Sequence, residues 1–333
     1  MRPDVLGDGA GFVTPADAAA AGLSRFQLPN VGLRRLHRGL WVPAERAGDL
    51  ATRCAAALRA LPPGSAISHQ SAAVLLGLPL PDEFMPRVAA EDADEGTESE
   101  DEDEPIHVSV PWPAHPRIRG LRVHVVSGPL PTMTMRNGLV LTGGARLWLD
   151  LATLLGRDDL VIAGDVIVRR RLATVKELRA LVRAKAGARG SRGARVAVVL
   201  LDGRSKSPME TRLRLLLVDH GITGFLVNRT VCDEAGGWLC TPDIQFPLLL
   251  IALEYEGDQH RTDRRQWQED VRRYEVMRQH GWVVIRLVAA DVLDRPGATA
   301  DHVRREIDIR HAALPAATRE STSVTYKGRR KTS

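Results

Sequence analysis

Apolar residues in the last third of the chain follow the spacing of strands and helices in turn. Residues 248–253 form an unbroken apolar run that is too short for an independent helix and typical of a buried strand. Residues 282–287 form a similar run, and residues 263–280 between them carry apolar side chains at helical spacing. With further helices at 207–221 and 298–312, the pattern predicts a mixed sheet flanked by helices within an α/β (α+β) protein.

The N-terminal region has the spacing of short helices followed by a hairpin. Residues 11–22 predict a helix, with Thr14 as its N-cap. Ser24 is suited to cap a second short helix, which Pro29 must end. Two short strands about Gly39 follow. This order predicts a winged helix-turn-helix over residues 1–45, a module that often docks on DNA; a small structural or protein-docking domain fits the same outline.

The middle of the chain alternates between helical and strand patterns. Residues 106–110 and 121–126 predict strands, and the remaining apolar spacing over residues 46–186 predicts helices around them. We therefore expect a middle α+β domain. His107 and His124 fall within the two strands, and we expect them to be surface strand residues rather than ligands.

Three segments of biased composition separate or end these domains. Residues 91–104 hold ten acidic residues and no basic one, so residues 87–105 are predicted to form a disordered acidic insert. Residues 187–206 are rich in Gly, Arg and Ser near their start and predict a linker to a C-terminal domain at 207–312. The tail 313–333 is basic and predicted to be disordered.

Charge and cysteine content narrow the functional classes. The net charge is +5, and the excess of basic residues lies mostly in front of residue 206, which suits a nucleic-acid partner; genomic base composition can produce the same arginine excess. The candidate phosphate contacts are Arg34, Arg35, Arg38, Arg264 and Arg265. The three cysteines form no CxxC pair, so we expect a reducing cytoplasm and no zinc site. No 18-residue apolar run and no signal-peptide core occur, so no membrane association is expected.

Acidic residues cluster around the apolar run at 248–253. Asp243 precedes the run, and Glu254 and Glu256 share one strand face after it because strand side chains alternate. His260 falls in the turn beyond. Carboxylates gathered at a strand end suit a hard cation such as Mg²⁺ or Mn²⁺, although strand ends also carry solvated acids with no such role.

Several motifs give the C-terminal region a resemblance to a known superfamily. These motifs are Ser207-Pro208-Met209-Glu210, Pro242-Asp243, Glu254-Tyr255-Glu256-Gly257-Asp258-Gln259-His260, Asp270 with Arg273, and Gly281-Trp282-Val283-Val284-Ile285-Arg286. With them the region resembles the Vsr-like branch of the PD-(D/E)XK endonucleases, the group related to very-short-patch-repair nucleases. Residues 10–43 are similar to the N-terminal winged helix of AbiEi-type antitoxins.

The resemblance implies roles for individual residues. Asp243 and Glu254 would ligate Mg²⁺ or Mn²⁺, and the helix acid Glu210 would hold a metal-bound water or a second ion. His260 would act as general acid or base. The remaining implied site residues are Glu256, Asp270 and Arg273. Glu256 occupies the superfamily's lysine position, which leaves open whether His260 or Arg273 supplies the positive charge.

Two functions follow as expectations. The first is a metal-dependent DNA endonuclease or nickase. The alternative is a non-catalytic DNA-binding regulator of antitoxin type with an inert nuclease-like domain, for which a toxin-like protein is the candidate partner. The capping box at Ser207–Glu210 gives Glu210 a sufficient structural role of its own, so its catalytic role rests on the resemblance.

Overall fold

The computed structural model describes residues 12–37, 39–85, 104–233, 235–257 and 264–315, with the backbone alone over 264–271. The chain divides into two compact units. We call Met1–Ala163 with Leu172–Arg195 the N-terminal unit, and Gly164–Arg171 with Val196–Ser333 the C-terminal unit. Both mix helices with sheets, which confirms the α+β class.

The N-terminal unit begins with a capped helix and a basic hairpin. Helix α1 (Pro15–Ala20) has the predicted Thr14 cap, and strands β1 (Leu33–His37) and β2 (Leu40–Pro43) pair antiparallel. The predicted second helix is wrong: residues 25–28 form turns that lead into a 3₁₀ helix at Pro29–Val31. Proline has no N–H to donate and fixes its own φ, so Pro29 starts a tight turn instead of continuing a helix. The recognition helix of a winged helix-turn-helix is therefore missing from these described residues.

A five-stranded sheet forms the centre of the N-terminal unit, with strand order β5-β4-β3-β7-β6. Its strands are β3 (Ala66–Ile67), β4 (Ile106–Pro111), β5 (Leu121–Val126), β6 (Thr132–Thr134) and β7 (Val140–Thr142). The helices up to residue 197 are α2 (Leu50–Arg59), α3 (His69–Leu75), α4 (Gly144–Leu151), α5 (Arg157–Arg169), α6 (Val175–Ala184) and α7 (Ser191–Ala197). Short 3₁₀ helices lie at Ala44–Arg46 and Asp82–Phe84. The strands predicted at 106–110 and 121–126 are confirmed.

The predicted linker at 187–206 contains helix α7 instead of an extended chain. Ser191, Ala194 and Ala197 are buried, so one face of this short helix packs against the protein. The composition did not predict this helix, because its buried positions hold only small residues and lack the large apolar side chains that mark a packed helix.

The C-terminal unit contains a four-stranded mixed sheet with strand order β13-β12-β11-β8. Strands β12 and β13 are parallel, and the other two pairs are antiparallel. Its elements are α8 (Pro208–Asp219), β8 (Leu226–Val227), β9 (Val231–Cys232), β10 (Trp238–Cys240), β11 (Ile244–Phe246), β12 (Ile251–Tyr255), α9 (Arg264–Gln279), β13 (Val283–Leu287), α10 (Ala289–Leu293) and α11 (Pro296–Ala313). β9 and β10 form a separate hairpin.

The apolar run at 248–253 is only partly a strand. Pro247–Leu249 forms a 3₁₀ turn, and Leu250 has a left-handed φ of 52°, so β12 begins at Ile251. The first half of the run therefore makes the turn between β11 and β12. Leu249 is still buried in the core that β12 shares with α8 and α11, which explains why a turn carries apolar side chains.

Over the described ranges, no helix combines the length and the apolar character that a membrane crossing requires.

Candidate functional site

Asp243 and Glu254 face each other across the β11–β12 hairpin. The register pairs Ile244 with Leu253, so the residue before β11 lies opposite Glu254. The backbone N–H of Tyr255 donates to Asp243 Oδ2 at 2.8 Å, which fixes this carboxylate at the end of β12. The sequence-based expectation that the hairpin brings the two acids together is confirmed.

Glu210 lies in the first turn of α8. Ser207 caps the helix by accepting the Glu210 N–H through Oγ at 3.1 Å. The carboxylate of Glu210 does not complete the capping box in the expected way, because its Oε2 accepts the backbone N–H of Lys206 at 2.7 Å. The side chain is 7% exposed, so this charge is held in the protein interior.

Asn228 connects the helix acid to the strand acid, and reasoning from the sequence missed it. Its side-chain amide donates to Glu210 Oε2 at 2.7 Å, and its backbone N–H donates to the carbonyl oxygen of Asp243 at 3.0 Å. Asn228 has a φ of 47°, a left-handed conformation that asparagine tolerates better than most residues. The signal in the sequence was a single asparagine just after a short strand, a place where such a residue usually forms an ordinary turn.

The surroundings of Asp243 oppose the negative charge of its carboxylate. Burial and then the nearby charge of Glu210 raise the pKa of Asp243 from its ordinary value to about 6. The Tyr255 N–H and the charges of Lys206 and Arg273 act in the opposite direction without cancelling this rise. At neutral pH the carboxylate is therefore ionised at a cost in free energy.

Arg273 on α9 supplies positive charge beside Glu254. Its Nη2 lies 3.9 Å from Glu254 Oε1 and donates to the Tyr274 hydroxyl at 3.2 Å. Burial and the charge of Glu254 raise the pKa of Tyr274 to about 12, so its hydroxyl stays protonated. Arg273 therefore lies next to a site carboxylate, and its supporting role stays a prediction.

Glu256 is held by a different partner from the other acids. Both its carboxylate oxygens accept from the guanidinium of Arg286 on β13, with Nη2 at 2.6 Å from Oε2. The Tyr274 hydroxyl lies 3.5 Å from Oε1. Glu256 therefore forms an ion pair at the end of β12 and offers no positive charge to a nucleophile.

Several predicted site residues lie outside the described residues. Arg38 and His260 belong to this group, as do the side chains of Arg264, Arg265 and Asp270. The acidic insert up to residue 103 and the tail from residue 316 also lie outside them. Of the proposed phosphate contacts, Arg34 and Arg35 are described, and both are exposed on β1.

The donor set at Asp243, Glu254 and Glu210 has the chemistry of a hard-cation site. All three groups are carboxylates, and Mg²⁺ and Mn²⁺ prefer oxygen ligands. Within the described ranges, however, these acids do not form a set of three whose ligand atoms all lie within 4.8 Å of one another. Glu210 Oε2 already accepts hydrogen bonds from the Asn228 amide and from the Lys206 N–H.

Comparison with known proteins finds relatives without an assigned activity. No protein-family model matches the chain. Two Mycobacterium tuberculosis proteins are similar to it, the uncharacterized protein Rv2248 of strain H37Rv and the uncharacterized protein MT2308 of strain CDC 1551. Each is 28% identical over 196 residues, which is 58% of this chain and 67% of the relative. Neither name states a substrate or a partner.

Proposed function

We propose that the C-terminal unit is a metal-dependent DNA endonuclease or nickase that hydrolyses phosphodiester bonds. The observation that carries the proposal is the partly buried Asp243, which faces Glu254 across a hairpin and has its pKa raised by burial and by Glu210. Carboxyl groups whose pKa is raised by burial and by a neighbouring acid are concentrated at functional sites, and a bound cation would relieve the repulsion between these acids. The Vsr-like resemblance adds an expected reaction for that cation.

Asp243 and Glu254 would hold Mg²⁺ or Mn²⁺. When bound, such an ion would stabilise negative charge on a phosphate group and lower the pKa of a water molecule. Glu210 adds a third carboxylate, and its hydrogen bond from Asn228 keeps the carboxylate oriented relative to Asp243. The protein's own part is to hold these oxygens on rigid elements.

Positive charge in this site comes from Lys206 and Arg273 instead of from the residue at position 256. Both cations lower the pKa of Asp243, so both lie close enough to act on it electrostatically. Lys206 is exposed, and its backbone is fixed by the hydrogen bond to Glu210. A phosphate brought to the carboxylates would meet these two side chains.

Cleavage of supercoiled plasmid in Mg²⁺ or Mn²⁺ tests the proposal. Wild-type protein should nick or linearise the plasmid, and EDTA or the change Asp243→Ala should abolish the reaction. The matched control is Asp301→Ala, an exposed carboxylate on α11 whose partner is Arg304. Failure of the wild type on intact, nicked and mismatched DNA would refute the nuclease, and equal activity of both variants would assign the cleavage to a contaminant.

The second candidate is a non-catalytic DNA-binding regulator in the cytoplasm that would have a toxin-like protein partner. The exposed Arg34 and Arg35 on the hairpin favour it. Because the described residues there contain no second helix, the hairpin would contact phosphates and read little sequence. This version expects a gel shift without cleavage, and loss of both arginines should lower the salt slope of log affinity by about 2. Unchanged affinity and slope would count against the hairpin as the DNA contact.

A further inference from the structure

Three histidines from distant parts of the sequence meet in the N-terminal unit. His69 begins α3, His107 lies on β4 and His124 lies on β5, and we call them the histidine cluster. Each offers one ligand nitrogen, and these nitrogens all lie within 4.8 Å of one another. His69 is 3% exposed and His107 is 1% exposed, while His124 is partly exposed.

We propose that the histidine cluster is a binding site for a divalent transition metal, with zinc as the best fit, and that its open coordination position takes an anionic ligand. The site goes beyond the carboxylate chemistry of the C-terminal unit and does not depend on it.

The distance between two of the rings matches shared coordination. His124 Nε2 lies 3.3 Å from His107 Nδ1. Two nitrogens bound to one tetrahedral zinc at about 2.0–2.1 Å are about 3.3 Å apart. A hydrogen bond between the two rings accounts for that distance as well. The ring of His69 is stacked on that of His124, with centroids 3.6 Å apart, so binding of one metal by all three histidines would require the His69 ring to turn.

His69 is arranged as a ligand with a supporting partner. Its Nδ1 lies 3.0 Å from the hydroxyl oxygen of Ser68, so Nε2 is the nitrogen left for a metal. Metal-binding histidines regularly use their second nitrogen in such a hydrogen bond, which fixes the tautomer. His69 also has a φ of 49°, and strained backbone of this kind persists where surrounding contacts impose it.

The sheet face under the cluster carries an unusual buried polar group. Ser109 is opposite His124 in the parallel register of β4 and β5, and it lies on the same face as His107. Its hydroxyl is fully buried and has no hydrogen-bond partner. Burial also lowers the pKa of each histidine, to about 2 for His69 and about 4 for His107 and His124. The rings are therefore neutral at physiological pH, which is the form that binds metals.

A cavity of about 440 Å³ adjoins the cluster on one side. His69 and His124 line it together with the basic residues Arg122, Arg146, Lys185 and Arg189. Arg146 is paired with the buried carboxylate of Asp150, with Nε at 2.7 Å from Oδ1. Arg122, Lys185 and Arg189 still give the cavity lining a net positive charge. Three histidine ligands with one position facing such a cavity have the composition of an open zinc site, and an oxyanion such as phosphate or carboxylate fits it.

The direct test is metal content and cobalt spectroscopy of the full-length protein without a histidine tag. We expect about one zinc per chain after dialysis against trace zinc. Replacement by Co²⁺ should give the visible absorption of a low-coordinate cobalt site, and inorganic phosphate should change that spectrum. A spectrum identical to that of free cobalt would overturn the metal site, and a cobalt spectrum insensitive to phosphate would overturn the open position.

Variants locate the metal. His107→Gln and His124→Gln should each weaken zinc binding by at least about 100-fold, because each removes a direct ligand. His115→Gln is the matched control, since His115 is exposed in the turn between β4 and β5. If the two cluster variants keep full stoichiometry and affinity, the metal is bound elsewhere. The wild-type cobalt spectrum and a zinc-dependent rise in Tm remain decisive if either variant fails to fold.

Discussion

Replacement of Asp243 by asparagine should stabilise the C-terminal unit at neutral pH. The Tyr255 N–H now bonds Asp243 Oδ2, and an asparagine Oδ1 can accept the same hydrogen bond. What the change removes is the charge that burial and Glu210 oppose. Loss of a proposed metal ligand would then make the protein more stable, which is the opposite of the usual effect of a substitution in a packed site.

The magnitude follows from the pKa. The pKa of Asp243 is raised in the folded state from 3.8 to about 6. A raised carboxyl pKa favours the folded state below the unfolded pKa, and this contribution is lost as the pH rises through the folded pKa. At about 1.4 kcal/mol per pK unit, the ionised carboxylate costs at most about 3 kcal/mol above pH 6. The advantage of Asp243→Asn should therefore grow between about pH 4 and about pH 6 and stay constant above.

Urea titrations read out by hydrogen exchange of peptides from β11 and β12 would measure this unit separately. The control is Asp301→Asn, an exposed acid of the same unit, which should show no such pH dependence. Saturating Mg²⁺ should reduce the difference in unfolding free energy between Asp243→Asn and the wild type, because only the wild type would bind the ion. At a Mg²⁺ concentration a hundred times the Kd for Mg²⁺, the wild type would gain about 2.7 kcal/mol. A stability difference that does not change between about pH 4 and about pH 8 would refute the electrostatic reasoning.

Three further changes probe other parts of the structure. Asp165→Ala should destabilise the C-terminal unit by about 3–5 kcal/mol in urea titrations, because it leaves Arg214, now 2.8 Å from Asp165 Oδ2, buried without its acid. Gly144→Ala should lower the stability of the N-terminal unit by about 1–3 kcal/mol, because the added Cβ would clash with the backbone oxygen of Leu172; an unchanged Tm would show that α4 can shift. Asn228→Gly keeps the left-handed φ but loses the hydrogen bond to the α8 carboxylate, and should cost about 1.5–3 kcal/mol by the same titration.

Local rules predicted the helix starts and the central hairpin well. Thr14 and Ser207 cap helices as expected, because a cap depends on residues within one turn. Asp243 and Glu254 meet as expected because a short turn and strict alternation fix their register. In each case the residues that determine the local structure lie close to one another in the sequence.

Predictions from the sequence were wrong where the structure depends on contacts between segments that are far apart in the chain. His107 and His124 were expected on the surface, but His107 is buried and His124 partly buried in a sheet whose strand β4 contacts α3. Cysteine spacing argued against zinc, and no spacing rule joins His69 to two strands further along the chain. The same limit applies to α7, whose burial depends on tertiary packing that composition does not show.

The parallel pairing of β12 with β13 has a consequence for the order of folding. The β11–β12 hairpin closes a short loop, whereas Ile251 can meet Val283 only after the whole of α9 has been looped back. Hairpins form in about 1–10 μs, and longer loops close at a greater entropic cost. Asp243 and Glu254 should therefore come together early, and the Glu256–Arg286 pair should follow when β13 docks. In a chevron analysis, substitutions in the hairpin should slow refolding, while those on β13 should mainly accelerate unfolding.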